Sequence, residues 1–383
     1  MAVATVPIDL DEYRDALRAW LAEHRDEFAT TRPASFEQHI TRGLELSNVL
    51  WRAGWKRVGW PESVGGMLDS ARHRATYYDE ISRAGLELPN SDASIEVMGP
   101  AMIEYAPALA ARHLPAFLAG EELWAQGFSE PDAGSDLAAI RTRGVVDGDT
   151  VVVDGQKVWT SHGHLAQRIW TLVRTGEPDS RHRGLAALLI DTDLEGVSRI
   201  PLHFANGSDE MCETYFDGVR VPLDRMIGEP GQGWAVAMHM LTYERSMYAA
   251  QRQAWAEQRL RQLAAALDAA GCEAGTAGAV RAAWLRLQAV RARTIESVRR
   301  LDAAEVVGPE ASADKVLLSW AEQAVFDVAR SAVGAGFAFD DWAAPWRADW
   351  WYSRASSIMG GAGEIQRSIL ADRVLLLPRE DAS

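Results

Sequence analysis

The sequence is poor in cysteine and has no long apolar run. It contains two cysteines in 383 residues, Cys212 and Cys272, and neither belongs to a CxxC pair or to a cluster with histidine. A structural zinc site is therefore not expected, and both cysteines are predicted to be buried thiols. No uninterrupted stretch of about 18 apolar residues occurs, so no membrane span is expected.

Positive charge is also scarce. The chain has 39 Lys and Arg against 54 Asp and Glu, a net charge of -15, which disfavours nucleic acid as a partner. The most basic stretch, Arg281 to Arg300, is interpreted as the polar face of a helix with Trp284, Leu287 and Val290 on its buried side.

The amino terminus lacks the basic region followed by an apolar run that is typical of a signal peptide. Together with the low cysteine content, this indicates a protein of the reducing cytoplasm.

The pattern of hydrophobic residues divides the chain into three parts. Apolar residues recur at helical spacing in residues 1–121, β-branched runs separated by Asp-Gly pairs fill residues 122–228, and helical spacing returns in residues 229–383. The residues from His239 onwards are expected to form one long helix. The sequence therefore predicts an α+β chain in which a β domain lies between two helical domains.

Three segments have the composition of ligand-binding loops. GFSEPDAGSDLA (127–138) offers many backbone N–H groups, GQKVWTSHGH (155–164) ends a strand with an indole beside two hydroxyls, and the segment 358–380 places adjacent glycines before a helix. Each segment has an ordinary structural interpretation: a connection between domains, a core tryptophan, or a helix start. His162 and His164 are interpreted as loop histidines without a catalytic role.

Taken together with WPESVGG, FDGVRVP and GEPGQGW, these segments resemble the acyl-CoA dehydrogenase family over nearly the whole chain. The resemblance implies an N-terminal helical domain, a central β-barrel-like domain and a C-terminal four-helix bundle. It also implies FAD as cofactor and α,β-dehydrogenation of an acyl-CoA thioester, with the hydride passing to flavin N5.

The same resemblance assigns roles to individual residues. Ser135 would reach a phosphate or the ligand tail, Tyr243 and Arg245 would bind substrate, and the backbone amide of Gly360 would hold the thioester carbonyl. The remaining positions are assigned to the flavin: Gln126, Phe128, Ser129, Trp159, Thr160, Ser161, Gly361 and Glu364.

The position of the catalytic base departs from the commoner family pattern. Many members have a glutamate in the last loop, where this chain has Gly360, and a minority have it on the first C-terminal helix directly before an arginine. The segment LTYERS places Glu244 and Arg245 at that point, so Glu244 is predicted to be the base. Glu364 is the weaker candidate. The space left at Gly360 would suit a branched, bulky or steroid-derived acyl chain.

The family features that bind the adenine half of FAD are missing or reduced. No Arg-x-x-Phe-Gly follows Arg252, and Gln-x-x-Gly-Gly-x-Gly is reduced to RSAVGAGF (330–337). A homologous second subunit in an α2β2 heterotetramer, of the type found in bacterial steroid side-chain degradation, would supply those contacts; a homotetramer is the alternative. The expected electron acceptor is an electron-transferring flavoprotein.

Two other functions remain open from the sequence. An acyl-CoA oxidase or related flavin monooxygenase would share the flavin residues and react with oxygen. A non-catalytic partner subunit would explain the reduced adenine motifs, although SEPDAGSD, WTS and Glu244 are retained.

Overall fold

The computed structural model describes residues 6–28, 35–87, 89–271 and 276–378. Cys212 is a buried free thiol, as predicted, and Cys272 lies outside the described residues. Within the described part of the chain, no helix is both long enough and apolar enough to cross a membrane.

The N-terminal part is helical. Asp9 begins the first helix by accepting hydrogen bonds from the backbone N–H groups of Asp11 and Glu12, and Ser35 and Ser70 cap two later helices in the same way. The helices are α1 (Leu10–Glu23), α2 (Arg25–Phe28), α3 (Phe36–Arg52), α4 (Ala71–Arg83), α5 (Asn90–Tyr105) and α6 (Pro107–Leu118), with two short strands, β1 (Val58–Gly59) and β2 (Leu68–Asp69), between α3 and α4.

The central part forms one mixed sheet. Its strands are β3 (Trp124–Gly127), β4 (Arg143–Asp147), β5 (Thr150–Ser161), β6 (Arg168–Arg174), β7 (Leu185–Asp191), β8 (Val197–Leu202), β9 (Met211–Pro222) and β10 (Met226–Ile227). The order is β10-β7-β6-β4-β5-β9-β8, and β3 pairs with β6 in parallel. The long antiparallel partners β5 and β9 carry a register shift between Lys157 and Thr160, which matters for the site.

The C-terminal part is helical again, which confirms the predicted order of helices, strands and helices. Its helices are α7 (Gly233–Arg245), α8 (Met247–Ala269), α9 (Ala277–Asp302), α10 (Ser312–Val333), α11 (Gly336–Phe339), α12 (Ala344–Ala355) and α13 (Gly363–Arg373). α8, α9 and α10 pack against one another, and α12 packs on α10. The predicted domain limits at 121 and 228 stay predictions.

Two details differ from the sequence-based expectations. The predicted long helix from His239 is interrupted at Ser246, whose hydroxyl donates to the carbonyl of Thr242 at 2.8 Å, so α7 ends at Arg245 and α8 begins at Met247. In α9, Leu287 and Val290 are buried as expected, but Trp284 is 45% exposed. It lies about a quarter turn away from the stripe of buried residues that includes Leu287 and Val290.

One hydrophobic core joins the three parts near the site. It contains Phe128 from the loop after β3, Met98 and Met102 from α5, and Val236 and Met240 from α7. This packing holds the C-terminal end of α7 in a fixed relation to the sheet and to α5.

Candidate active site

The loop after β3 is fastened to β5 by a buried lysine. Lys157 is fully buried, and its Nζ donates to the carbonyl of Phe128 at 3.1 Å and to Oε1 of Glu130 at 2.8 Å. The N–H of Val158 also donates to the carbonyl of Ser129 at 2.9 Å. Burial lowers the pKa of Lys157 to about 8. The first two predicted segments, around Phe128 and around Trp159, are therefore brought side by side.

Trp159 lies at the irregularity in β5 and has an unusual backbone. Its φ is +62°, in the left-handed region that large side chains rarely adopt, and its side chain is 55% exposed. The next residue, Thr160, is buried, and its hydroxyl has no hydrogen-bond partner in the described structure. A strained, exposed indole beside an unpaired buried hydroxyl is the kind of arrangement that a bound ring system would complete.

The other predicted flavin residues lie near this point or further along the loop. Gln126 is half-buried at the end of β3, Ser129 is half-buried in the loop, and Ser135 is exposed at its far side. Ser161 ends β5, opposite Met211 of β9. Directly before β9, Glu210 accepts a hydrogen bond from the hydroxyl of Tyr352 in α12 at 3.1 Å, which links the sheet to the helix that leads into the glycine loop.

The glycine loop before α13 faces the carboxylate of Glu244. Gly360 and Gly361 have φ of +67° and +91°, in the region that favours glycine. A Cβ placed on Gly360 would lie 2.7 Å from Oε1 of Glu244, closer than side chains pack. The structure thus brings together the two residues that the sequence assigned to catalysis, which are more than a hundred positions apart in the chain.

The Gly360 amide is available to a ligand. No hydrogen bond from its N–H is found among the described residues, whereas the nearby N–H groups of Ile358, Met359 and Gly363 all donate to backbone carbonyls. An N–H that the fold leaves without an acceptor, next to a carboxylate, can bind a carbonyl oxygen while the carboxylate contacts the adjoining carbon.

The carboxylate of Glu244 lies in an environment that disfavours its charge. Its Oε2 atom is shielded from solvent and has no hydrogen-bond partner in the described structure, although the residue as a whole is only half-buried. Burial raises the pKa of Glu244 above its ordinary value, and the positive charges of Lys315 and Arg245 oppose that rise without cancelling it. A carboxylate with a raised pKa and a free oxygen is suited to accept a proton.

Sequence reasoning did not identify Lys315. This buried lysine of α10 has its Nζ 3.5 Å from the same Cβ position on Gly360, and it donates to the carbonyl of Ser356 at 2.8 Å. The signal in the sequence was a lysine directly before the apolar run Val316, Leu317 and Leu318. A buried lysine usually requires a partner.

The predicted substrate residues flank Glu244 on α7. Tyr243 is half-buried and lies 5.5 Å from the ring of His239, and burial raises its pKa. The Nε of Arg245 is shielded without a hydrogen-bond partner, and burial lowers the pKa of Arg245. Glu364 is different: its side chain is 84% exposed and lies 3.8 Å from Arg367. Within this chain, therefore, Glu244 rather than Glu364 is the shielded carboxylate beside the glycine loop.

Among the described residues no group of three or more His, Cys, Asp or Glu side chains is arranged to hold a metal ion. His162 is buried and stacks on Phe36 with ring centroids 5.7 Å apart, and burial lowers its pKa to about 4. This packing agrees with the interpretation of His162 as a structural residue.

Comparison with known proteins gives consistent similarities. Residues 125–219 match the family model for the acyl-CoA dehydrogenase middle domain, and residues 231–375 match that for the acyl-CoA dehydrogenase C-terminal domain. Acyl-CoA dehydrogenase IpdE1 of Mycobacterium tuberculosis is 35% identical over 382 residues, which cover 97% of this chain and 99% of that protein.

Two solved structures of paired subunits are also similar. The Tcur3481-Tcur3483 steroid ACAD is 27% identical with a TM-score of 0.83, covering 99% of this chain and 100% of the matched chain. The ChsE4-ChsE5 complex from Mycobacterium tuberculosis is 26% identical with a TM-score of 0.77, covering 99% of this chain and 100% of the matched chain.

Proposed function

The chain belongs to the acyl-CoA dehydrogenase family of oxidoreductases, and from that premise we propose that it removes hydrogen from the α and β carbons of an acyl-CoA thioester with Glu244 as the base. The observation that carries this proposal is the position of the Glu244 carboxylate, which lies where a side chain on Gly360 would collide with it.

Gly360 and Glu244 have separate roles in the proposed reaction. The Gly360 N–H donates to the thioester oxygen, and this hydrogen bond acidifies the α carbon because it stabilises the negative charge that develops on the oxygen. Glu244 then accepts the α proton on its unpaired oxygen. The shielded site keeps water away from the carboxylate and raises its basicity.

The residues around β5 fit an FAD cofactor. The exposed Trp159 at a left-handed φ and the unpaired hydroxyl of Thr160 are the observations that support this fit. The proposed flavin-binding set is Gln126, Phe128, Ser129, Trp159, Thr160, Ser161, Gly361 and Glu364, with Ser135 reaching a phosphate or the ligand tail. When bound, FAD would supply the two-electron acceptor for the hydrogen lost from the β carbon.

The substrate that we propose is a bulky or steroid-derived acyl-CoA. The support for this substrate class is that the Tcur3481-Tcur3483 relative is named a steroid ACAD. The space beside Gly360 does not itself support it, because the Glu244 carboxylate occupies that space. Anaerobic titration with straight-chain, branched and steroid-ring acyl-CoA thioesters tests this, with flavin absorbance as the readout. Faster bleaching by straight medium-chain thioesters than by the bulky ones would contradict the proposal.

Replacing Glu244 with Gln tests the role of the base. The amide cannot accept a proton, so substrate-driven bleaching should slow by about 10²–10⁴-fold while the flavin content stays the same. Glu296→Gln, an exposed position on α9, is the matched control and should bleach at the normal rate.

Retained bleaching in Glu244→Gln would remove Glu244 from the mechanism. Absence of bleaching in the unaltered holoenzyme with every thioester would instead favour a non-catalytic subunit. The oxidant is tested separately: reduced flavin that is reoxidised by an electron-transferring flavoprotein and only slowly by oxygen would distinguish a dehydrogenase from an oxidase.

A further inference from the structure

Lys315 is buried next to the proposed base without forming a contact ion pair. The Cβ position on Gly360 lies 2.7 Å from Oε1 of Glu244 and 3.5 Å from Nζ of Lys315. The two side-chain atoms are therefore at most 6.2 Å apart, which is the sum of the two distances. Within the described residues, no oxygen of Glu244 lies within 4.0 Å of the Lys315 Nζ, the distance at which an ion pair is counted. The lysine therefore acts on the carboxylate through space and leaves its oxygens free.

Lys315 also holds the loop that carries Gly360. Its Nζ donates to the carbonyl of Ser356 at 2.8 Å, and the hydroxyl of Ser319, one turn further along α10, donates to the same carbonyl at 2.7 Å. One carbonyl thus anchors α12 and the start of the glycine loop to α10 through two donors, of which only Lys315 is charged.

The surrounding charges leave Lys315 as the main cation acting on Glu244. Arg252 of α8 is also near this pair, but it forms an ion pair with Glu322 at 2.8 Å, so its charge is largely compensated. Of the two cations that oppose the raised pKa of Glu244, Lys315 has the larger effect and Arg245 the smaller. The titratable groups around the pair are Arg245 on α7, Tyr248 and Arg252 on α8, Glu322 on α10, Tyr352 on α12, and Glu210 directly before β9.

We propose that Lys315 is a positioning residue for the reaction: it keeps the Glu244 carboxylate ionised without bonding to it, and it fixes the loop that presents the Gly360 amide. This inference rests on the proposed role of Glu244. The lysine compensates for the burial of the base, while the gap between the two groups leaves the carboxylate able to take a proton. A direct ion pair would stabilise the charged carboxylate more strongly and so lower the basicity that takes the α proton.

The test measures the ionisation of Glu244 directly in the holoenzyme. Infrared difference spectra over a pH series follow the C=O stretch of the protonated carboxyl, and Glu244→Gln identifies the band. In Lys315→Met, which keeps the length of the side chain and removes its charge, the midpoint of this band should move to higher pH by about 1–3 units. The acid limb of substrate-driven flavin bleaching should move with it.

Ser319→Ala is the matched control, because it removes a donor from the same Ser356 carbonyl without changing the charge. It should leave the infrared midpoint in place. Lys315→Arg retains the charge and should keep the midpoint within about half a unit of the unaltered protein. If Lys315→Met does not fold, Lys315→Gln replaces it, since a polar side chain can still donate to Ser356.

An unchanged midpoint in the uncharged variant, or an equal shift in Ser319→Ala, would overturn the inference. The infrared readout needs no substrate, so this result is distinct from failure of the proposed function. A shifted midpoint together with retained bleaching in Glu244→Gln would leave the electrostatic role standing and reject Glu244 as the base.

Discussion

The carboxylate of Glu244 lies beside a glycine whose backbone conformation other residues adopt only at a cost. Gly360 has φ of +67°, and a Cβ on it would lie 2.7 Å from Oε1 of Glu244. The absence of a side chain therefore has two local consequences: the loop can turn toward α7, and the carboxylate can approach the backbone amide. Both consequences arise because Gly360 has no Cβ atom.

Gly360→Ala is predicted to lower both stability and rate. The left-handed backbone costs about 1–2 kcal/mol for a residue with a Cβ, and the methyl group would push the Glu244 carboxylate away from the site. Gly148→Ala, in the turn between β4 and β5, is the control because its φ is +63° and nothing lies within 4 Å of its Cβ position.

Chemical denaturation and single-turnover bleaching give the two readouts. Both variants should lose similar stability, and only Gly360→Ala should bleach slowly. A normal rate in Gly360→Ala would show that the carboxylate does not need the space beside the glycine.

The pH dependence of the reaction should reflect the environment of Glu244. Burial raises the pKa of Glu244 above the ordinary value for a glutamate, and the base works only when ionised. The rate should therefore fall as the pH drops through this raised pKa, so the acid limb should lie at a higher pH than that of an ordinary glutamate. Single-turnover bleaching from about pH 4 to about pH 9 measures it. A rate that stays constant down to the ordinary glutamate value would contradict the assignment.

At the scale of elements, β5 connects the two predicted flavin segments. Trp159 is exposed at its register shift, and the buried Lys157, two residues earlier, reaches the backbone of the loop after β3. Glu130 completes this tie, because it accepts from Lys157 and, at 2.9 Å, from the N–H of Thr142. A single buried cation thus sets the distance between a strand and a loop that both contribute to the proposed flavin site.

Lys157→Met is predicted to destabilise the β domain by about 3–5 kcal/mol, because the change leaves Glu130 without its cation in a shielded position. The flavin content should fall as the loop loses its anchor. The control is Arg220→Met on β9, which breaks a pair with Asp147 whose side chains are 57% and 63% exposed.

The control should cost no more than about 1 kcal/mol, since exposed pairs contribute little. Urea unfolding and the ratio of flavin to protein absorbance measure the two effects. Equal losses in both variants would show that the buried pair has no special role in the loop.

On the scale of the whole molecule, we propose that this chain acts with a homologous second subunit in an α2β2 assembly. The reduced adenine motifs support this proposal, as does the similarity to structures of two-subunit complexes. Several large apolar side chains of the C-terminal part are exposed within the single chain, among them Trp284 on α9, Trp320 on α10 and Leu376 after α13.

Expression of the chain by itself should give protein with a low FAD content, and co-expression with the homologous subunit should restore the flavin. The physical reason is that contacts to the adenine half would come from the second chain. Light scattering and the flavin absorbance ratio measure assembly and loading. A fully active yellow homotetramer from this chain alone would refute the proposal and favour the homomeric alternative.

Much of the fold followed from local patterns. The change from helical spacing to β-branched runs and back predicted the order of helices, strands and helices, because amphipathic periodicity is a property of neighbouring residues. The break at Ser246 and the exposure of Trp284 were missed. A side-chain hydrogen bond to a carbonyl one turn earlier and the centre of a buried stripe depend on how helices pack, which the spacing of residues alone does not decide.

For the site, the sequence by itself determined the family, the residue types and the lack of a carboxylate at Gly360. The tertiary structure alone decided that Glu244 of α7 reaches Gly360 in the loop before α13. It also decided that Lys315, which no motif identified, is buried beside both residues. The physical reason is that a motif records residues close together in the chain. Shielding and electrostatic interaction depend instead on distances in space, and these exist only after the helices have packed.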